Sequence, residues 1–301
     1  MTVSIASILA RMFASATPIA LAGIGGLFGE RSGIANIGLE GTMLFSAFAA
    51  AVGSYYSGSP WIGLICGAAC GVFVSLIHAF LCITVRVDQI VIGLVINIFA
   101  TNTTVYLLSA LFQNKGASPT VTKLPYITVP LLNGAPWMEE LFSNISLLTV
   151  LMIVTMLAAQ FLLYKTRFGL HVLASGQNAK AAFVMGVEVK KTQYLAVMIG
   201  GFCCGLAGSY LSISYLNMFV KGMVSGRGFI AIAAILIGRY NPLGVLAASL
   251  FFGLADASQM ALQGILSIPN ELVQSIPYIL TILVVTISEW RSRKRCSQLS
   301  V

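Results

Sequence analysis

The chain has 301 residues, 58% of them hydrophobic and 9% charged, whereas a soluble domain carries about 25% charged residues. This balance excludes an ordinary soluble enzyme and predicts an all-α, polytopic helical membrane protein. The apolar runs do not alternate with polar residues as barrel strands would, and the net charge of +8 is spread over loops and the tail, which fits membrane topology and no nucleic-acid partner.

A spanning helix needs roughly 20 apolar residues. The first run is 5–28, with Pro18 inside it, and the break GERSG follows. The next runs are 34–56, ending in GSYYSGSP, then 61–85 and 89–112, separated by the turn Arg86-Val87-Asp88. A long polar segment, 113–144, is expected as an extracytoplasmic loop, with LPYITVP or PWMEELF as a short re-entrant or interfacial helix. Further spans are expected at 145–164, 194–219, 229–237, 243–262 and 272–290, before the basic tail 291–301. The whole chain, 1–301, thus reads as one transmembrane domain of about nine helices, with eight to ten admitted. With nine spans, twelve of the 17 cations fall on the side of the tail and the loop 165–193. The positive-inside rule makes that side cytoplasmic. A weak internal repeat is also visible: NIGLEGTMLFSAFAAA, a turn and IGLICGAACGVF resemble GRGFIAIAAILIG, a turn and LGVLAASLFFGLADA. Duplicated transporter folds show symmetry of this kind.

The loop 165–193 is about as long as a span but carries five cations, one acid and a histidine. Its middle predicts a short helix, 179–185, with Ser175 or Asn178 as N-cap and Gly186 as the C′ glycine. Ala179, Ala182 and Phe183 share one face. A docking element for a partner and a solvated loop with one turn both fit these residues.

Polar groups inside spans are costly and therefore informative. Asn36 and Glu40 lie four apart near the start of the second span, among Gly33, Gly38 and Gly41. A broken helix bordering a pathway is one reading, and a packed helix start is the other. Gln89, Gly93 and Asn97 recur every four residues and form one polar stripe, facing either substrate or a neighbouring helix. Asp256 reads as a solvated helix end and His78 as a packing histidine. Five of the six cysteines lie in apolar runs without ligand partners, so no metal site is expected. No GxxxxGK[ST], HExxH or GxSxG occurs, so the chain reads as a transport subunit and not an enzyme, with an energy source elsewhere.

GERSGIANIGLEG, VRVDQIVIGLVIN, KTRFGLHVLASGQNAKAAFVMGVEVKK and SGRGFIAIAAILIGRYNPLG, in this order, resemble the permeases of ABC importers. The resemblance is to the branched-chain amino acid, ribose and simple-sugar superfamily, nearest its nucleoside branch, and covers nearly the whole chain. It implies a subunit in the bacterial cytoplasmic (inner) membrane that pairs with a second, homologous permease. It further implies a cytoplasmic ABC ATPase, which would bind the ATP and Mg, and an extracytoplasmic substrate-binding (lipo)protein. The chain itself would hold no cofactor and would contact membrane lipid. On the family pattern, 165–193 is the cytoplasmic coupling loop, with Gly176, Asn178, Ala181, Ala182 and Gly186 at the ATPase contact. Lys180 stands where an acid often precedes the alanines, so docking is carried over and that salt bridge is not. Asn36, Glu40, Gln89 and Asn97 occupy positions near the translocation path. The substrate implied is a nucleoside, with a simple sugar or a riboflavin-like vitamin as the alternative on the same scaffold. The reading from another class is a secondary carrier acting alone.

Overall fold

The computed structural model describes residues 5–127, 145–263 and 286. Most of the predicted ninth span, the tail 291–301 and PWMEELF lie outside the described residues. The chain forms α1 (Ile5–Arg31), α2 (Leu39–Ser57), α3 (Pro60–Ala79), α4 (Gln89–Phe112), α5 (Leu147–Lys165), α6 (Arg167–Gln177), α7 (Ala179–Val184), α8 (Val189–Ser209), α9 (Arg227–Ile237) and α10 (Pro242–Gln263). Both α3 and α8 run on through a π-helical turn, Phe80–Val85 and Tyr210–Tyr215. Among the described residues, five helices (α1, α3, α4, α5 and α8) are long and apolar enough to cross a membrane. The expected nine spans are therefore not established one by one.

Three local expectations are corrected. First, α2 begins at Leu39, not at 34, because 34–38 leave the helix altogether. Second, Tyr126–Ile127 (β1) pairs antiparallel with Ile145–Ser146 (β2), so the described part of LPYITVP is extended and not helical. Third, the loop 165–193 holds an unforeseen helix, α6. Its Gly169, Val172 and Ser175 are buried, and Thr166 Oγ1 accepts from Gly169 N at 3.2 Å to start it.

The centre of the bundle is the pair α1 and α8. In each, 83% of the apolar stretch is buried, against 22% in α4 and 33% in α5. The pair crosses where neither helix has a side chain. A Cβ on Gly25 would lie 2.5 Å from Gly200 O, and one on Gly200 would lie 2.5 Å from Gly25 O. Small residues let backbones meet this closely, which is how helices associate without a hydrophobic drive in lipid. Around this crossing α2 and α3 pack on α8, as α9 and α10 pack on α1. The two hairpins alike in sequence, α2–α3 and α9–α10, thus pack on α8 and α1 respectively.

The long helices α1 and α8 run in opposite directions. The end of α1 meets the start of α8, where Gln193 Nε2 donates to Ser32 O at 3.1 Å. The end of α3 does the same through Thr84 and Tyr194, 2.6 Å apart. The end of α2 lies at the other pole, where Ser54 Oγ donates to Thr122 O at 3.3 Å. Core side chains fill the spaces between, with Leu21, Met43, Ala47, Ala207 and Leu211 in the largest cluster. Ile24, Leu27, Leu163, Val172 and Ile235 form a second cluster towards α6.

Candidate functional site

The break between α1 and α2 is the most heavily supported irregular segment. Gly33 closes α1 with φ +85°, and Ile34 N bonds back to Gly29 O at 2.9 Å. The next residues have no helical partners for their backbone groups. In a membrane interior such groups must be satisfied by protein. Gln89 Oε1 accepts from Ala35 N at 2.7 Å, while its Nε2 donates to Gly33 O at 3.4 Å. Asn97 Oδ1 accepts from Gly41 N at 2.7 Å, and its Nδ2 donates to Ile37 O at 3.1 Å. Asn36 Oδ1 accepts from Gly38 N at 2.9 Å. Between the two amides, Gly93 leaves room for the chain: a Cβ there would sit 2.8 Å from Gly38 N. The polar stripe of α4 is therefore a splint along 33–41, and the four predicted pathway residues are brought together at one place.

Glu40 ties that break to the second repeat. Its carboxylate accepts from Gly226 N at 2.8 Å and from Gly228 N at 2.7 Å, at the start of α9. An acid is favourable at a helix N-terminus because the free N–H groups and the dipole are both positive there. Since α2 runs away from the α6–α7 end, the two helix starts face each other inside the bundle. The other end of α9 returns to the α6–α7 side, where Arg31 Nε donates to Tyr240 O at 2.8 Å. With 11 residues, α9 rises about 16 Å, roughly half of a ~30 Å hydrocarbon core. Discontinuous helices meeting at mid-depth are how transporters line a solute site.

Asp256, read as a solvated helix end, is instead partly enclosed. It lies 3.9 Å from Arg227, with side-chain exposures of 23% and 18%. His78 is buried and lies 3.6 Å from Cys82 Sγ, as a packing residue would. Sequence reading missed Gly226, Arg227 and Gly228 as Glu40's partners. The signal was the repeat itself, which equates the start of α2 with the start of α9.

At the other predicted site, α7 is a six-residue helix stopped sharply at both ends. Asn178, not Ser175, is the N-cap: its Oδ1 accepts from Ala181 N at 3.0 Å. Gly186 N bonds to Phe183 O and Val187 N to Ala182 O, both at 3.0 Å, with Gly186 at φ +85°. This is a full Schellman ending. Ala182 is buried, whereas Phe183, Val184 and Met185 are 72%, 82% and 84% exposed. Three protruding apolar side chains in a row mark a contact surface. Beside them Ala179, Phe183, Val184, Glu188 and Lys191 line a groove of about 650 Å³. Gly176, just before the cap, packs on the end of α1: a Cβ there would lie 2.9 Å from Arg31 C and 3.1 Å from Gly33 N. The predicted residues thus divide into a contact with α1 (Gly176), two stops (Asn178, Gly186), the capped and exposed Ala181, and a buried seat (Ala182).

Residues 8–285 match the family described as branched-chain amino acid transport system, permease component. The chain is 35% identical to the nucleoside ABC transporter permease NupC of Lactococcus lactis, over 93% of this chain and 91% of that one. It is 37% identical to the guanosine ABC transporter permease NupQ of Bacillus subtilis, over 90% and 88%. It is also 34% identical to a Haloferax volcanii permease named for glucose, over 83% and 76%. Among solved structures, a metal-chelate type ABC transporter in an inward-facing conformation shares the fold, with a TM-score of 0.53 at 14% identity, covering 93% of this chain and 84% of that one. The match over 8–285 and the identity to these permeases agree, and the chain belongs to the permease family of the branched-chain amino acid transport system.

Proposed function

We propose that the chain is the membrane subunit of an ATP-driven nucleoside importer in a bacterial cytoplasmic membrane. The observation that carries this is the identity of 35–37% to permeases named for nucleosides and guanosine, over nine-tenths of the chain. A second homologous permease, a cytoplasmic ABC ATPase that binds ATP and Mg, and an extracytoplasmic binding protein complete the assembly. In this reading 113–144 faces the binding protein, and 165–193 and 291–301 lie in the cytoplasm.

The mechanism follows from the contacts. Phe183, Val184 and Met185 enter a cleft on the ATPase. Movement of the ATPase pair displaces α7, and Gly176 passes the displacement to Arg31 and Gly33 at the root of the break. The splint of Gln89 and Asn97 makes the break move with α4, and Glu40 makes it move with α9. Asn36 borders the path: its Nδ2 has no protein partner among the described residues. A path that opens first to one side and then to the other needs an element shared by both repeats, and the Glu40 clamp is such an element.

The glucose-named relative favours a second reading, import of a simple sugar. The two separate in one experiment. The full assembly is reconstituted in vesicles with ATP inside, and uptake of labelled guanosine is measured against excess uridine, glucose or ribose. Uptake suppressed by nucleosides and not by sugars supports the first reading. Uptake of labelled glucose with none of guanosine overturns it.

A further inference from the structure

The loop 165–193 carries five cations and one acid, and three of the cations gather on one groove. Lys180 of α7 and Lys190 and Lys191 of α8 line the space of about 650 Å³ between the two helices, beside the apolar Phe183, Val184 and Val189. All three lysines are exposed. The one acid, Glu188, lies 3.5 Å from Lys191. Lys180 and Lys190 have no acidic partner among the described residues. Nor do the lysines serve the helix that carries two of them. Lys190 and Lys191 stand in the first turn of α8, where the helix dipole disfavours cations.

Charge and shape decide what can fill the groove. The chain's own tail, 291–301, brings four cations and no acid, so it would add to the excess. A bilayer surface takes a helix with one apolar and one polar face. Phe183, Val184 and Met185 follow one another at about 100° per residue and so cover roughly 200° of arc, and each is at least 72% exposed. Such a knob fills a socket and does not lie on a plane. A protein surface with an apolar socket and carboxylates at its rim meets both conditions.

We propose that the groove between α7 and the start of α8 receives an acidic edge of the ATPase, whose carboxylates pair with Lys180 and Lys190. Phe183, Val184 and Met185 then supply the apolar contact, and the lysines supply the choice of partner. An ATPase with neutral or basic side chains at that edge would leave two cations covered and unpaired, and would be rejected. The inference rests on the importer reading and deepens it, by giving the chemistry of the surface that α7 enters.

The test uses the full permease pair in discs of uncharged lipid, titrated with the ATPase of the assembly. The complex is first treated with a carbodiimide, which joins a lysine amine to a carboxylate in contact with it and leaves no spacer. Mass spectrometry is expected to find Lys180 or Lys190 joined to an Asp or Glu of the ATPase. Lys180→Glu with Lys190→Glu should raise the Kd by about tenfold at about 0.05 M salt, and the difference should shrink to about twofold at about 0.5 M, where exposed charges are screened. Lys180→Arg with Lys190→Arg should restore the affinity and lose the carbodiimide link, which separates charge from shape. Affinity unchanged in the double Glu variant overturns the inference. So does a deficit that persists at high salt or in the double Arg variant, which would make the lysines structural. A deficit that appears only when the discs contain anionic lipid overturns it too, by making the groove a headgroup contact. If the ATPase does not bind the wild type at all, the importer reading fails; if it binds and the charge variants bind equally, only the acidic edge fails.

Discussion

Replacing Asn97 with alanine removes two hydrogen bonds to backbone in one step, those from Gly41 N at 2.7 Å and to Ile37 O at 3.1 Å. Both groups lie in or beside the break; they stand four residues apart, and the amide takes the place of the helical bond that would join them. A buried backbone group left unpaired costs about 1–3 kcal/mol, so the pair is worth roughly 2–6 kcal/mol. Asn97 is half-buried, and water reaching the gap would hold the loss to the lower part of that range, about 2–4 kcal/mol. At roughly 2–4 °C per kcal/mol for a chain of this size, the Tm of the purified complex should fall by about 5–15 °C. Heating followed by size-exclusion chromatography reads this directly. Transport kinetics provide the contrast. A splint acts on the fraction of competent protein, so Vmax falls while the KM for labelled nucleoside stays within about twofold. Asn97→Ala with an unchanged Tm and a KM raised tenfold would refute the splint and make Asn97 a substrate contact.

Glu40→Gln keeps the shape but can accept from only one of Gly226 N and Gly228 N, so uptake should fall at least tenfold while the complex still assembles; wild-type uptake in this variant would remove the clamp from the mechanism. Gly176→Val pushes a branched side chain into Arg31 and Gly33 and should separate the two halves of the cycle, with ATP hydrolysis persisting and nucleoside uptake lost. Uptake and hydrolysis falling in strict proportion would argue against transmission through that contact. Gly200→Ala places a Cβ 2.5 Å from Gly25 O; overpacking of this kind costs about 1–3 kcal/mol, measurable as a lowered Tm and, with Gly25→Ala added, as a further drop.

Much of the fold could be read directly because a membrane helix announces itself by length and apolarity. The ends of α4 and the turn at Asp88, which caps Ile90 N and Val91 N at 2.9 and 3.1 Å, fall where local residues put them. The stops of α7 were equally local, since Asn178 and Gly186 act within three residues of themselves. What escaped was non-local. Ile34, Ala35 and Ile37 are apolar enough to prolong α2, and only Gln89 and Asn97, some 54 to 60 positions on, make the non-helical course affordable. Glu40 and its partners stand 186 and 188 positions apart, and nothing near any of them names the others. The helix α6 was hidden for a different reason. Its cations and amides read as a loop, and its apolar positions are too few to stand out until Gly169 and Val172 are seen against α5 and α1.

The crossing at Gly25 and Gly200 has a consequence for how the two halves of the bundle are related. Each glycine faces the other's backbone, so α1 and α8 meet at one point with no side chain between them. On one side α2 and α3 pack on α8, and on the other α9 and α10 pack on α1. A side chain added at either glycine would therefore displace both long helices at once, and with them the helices packed on each.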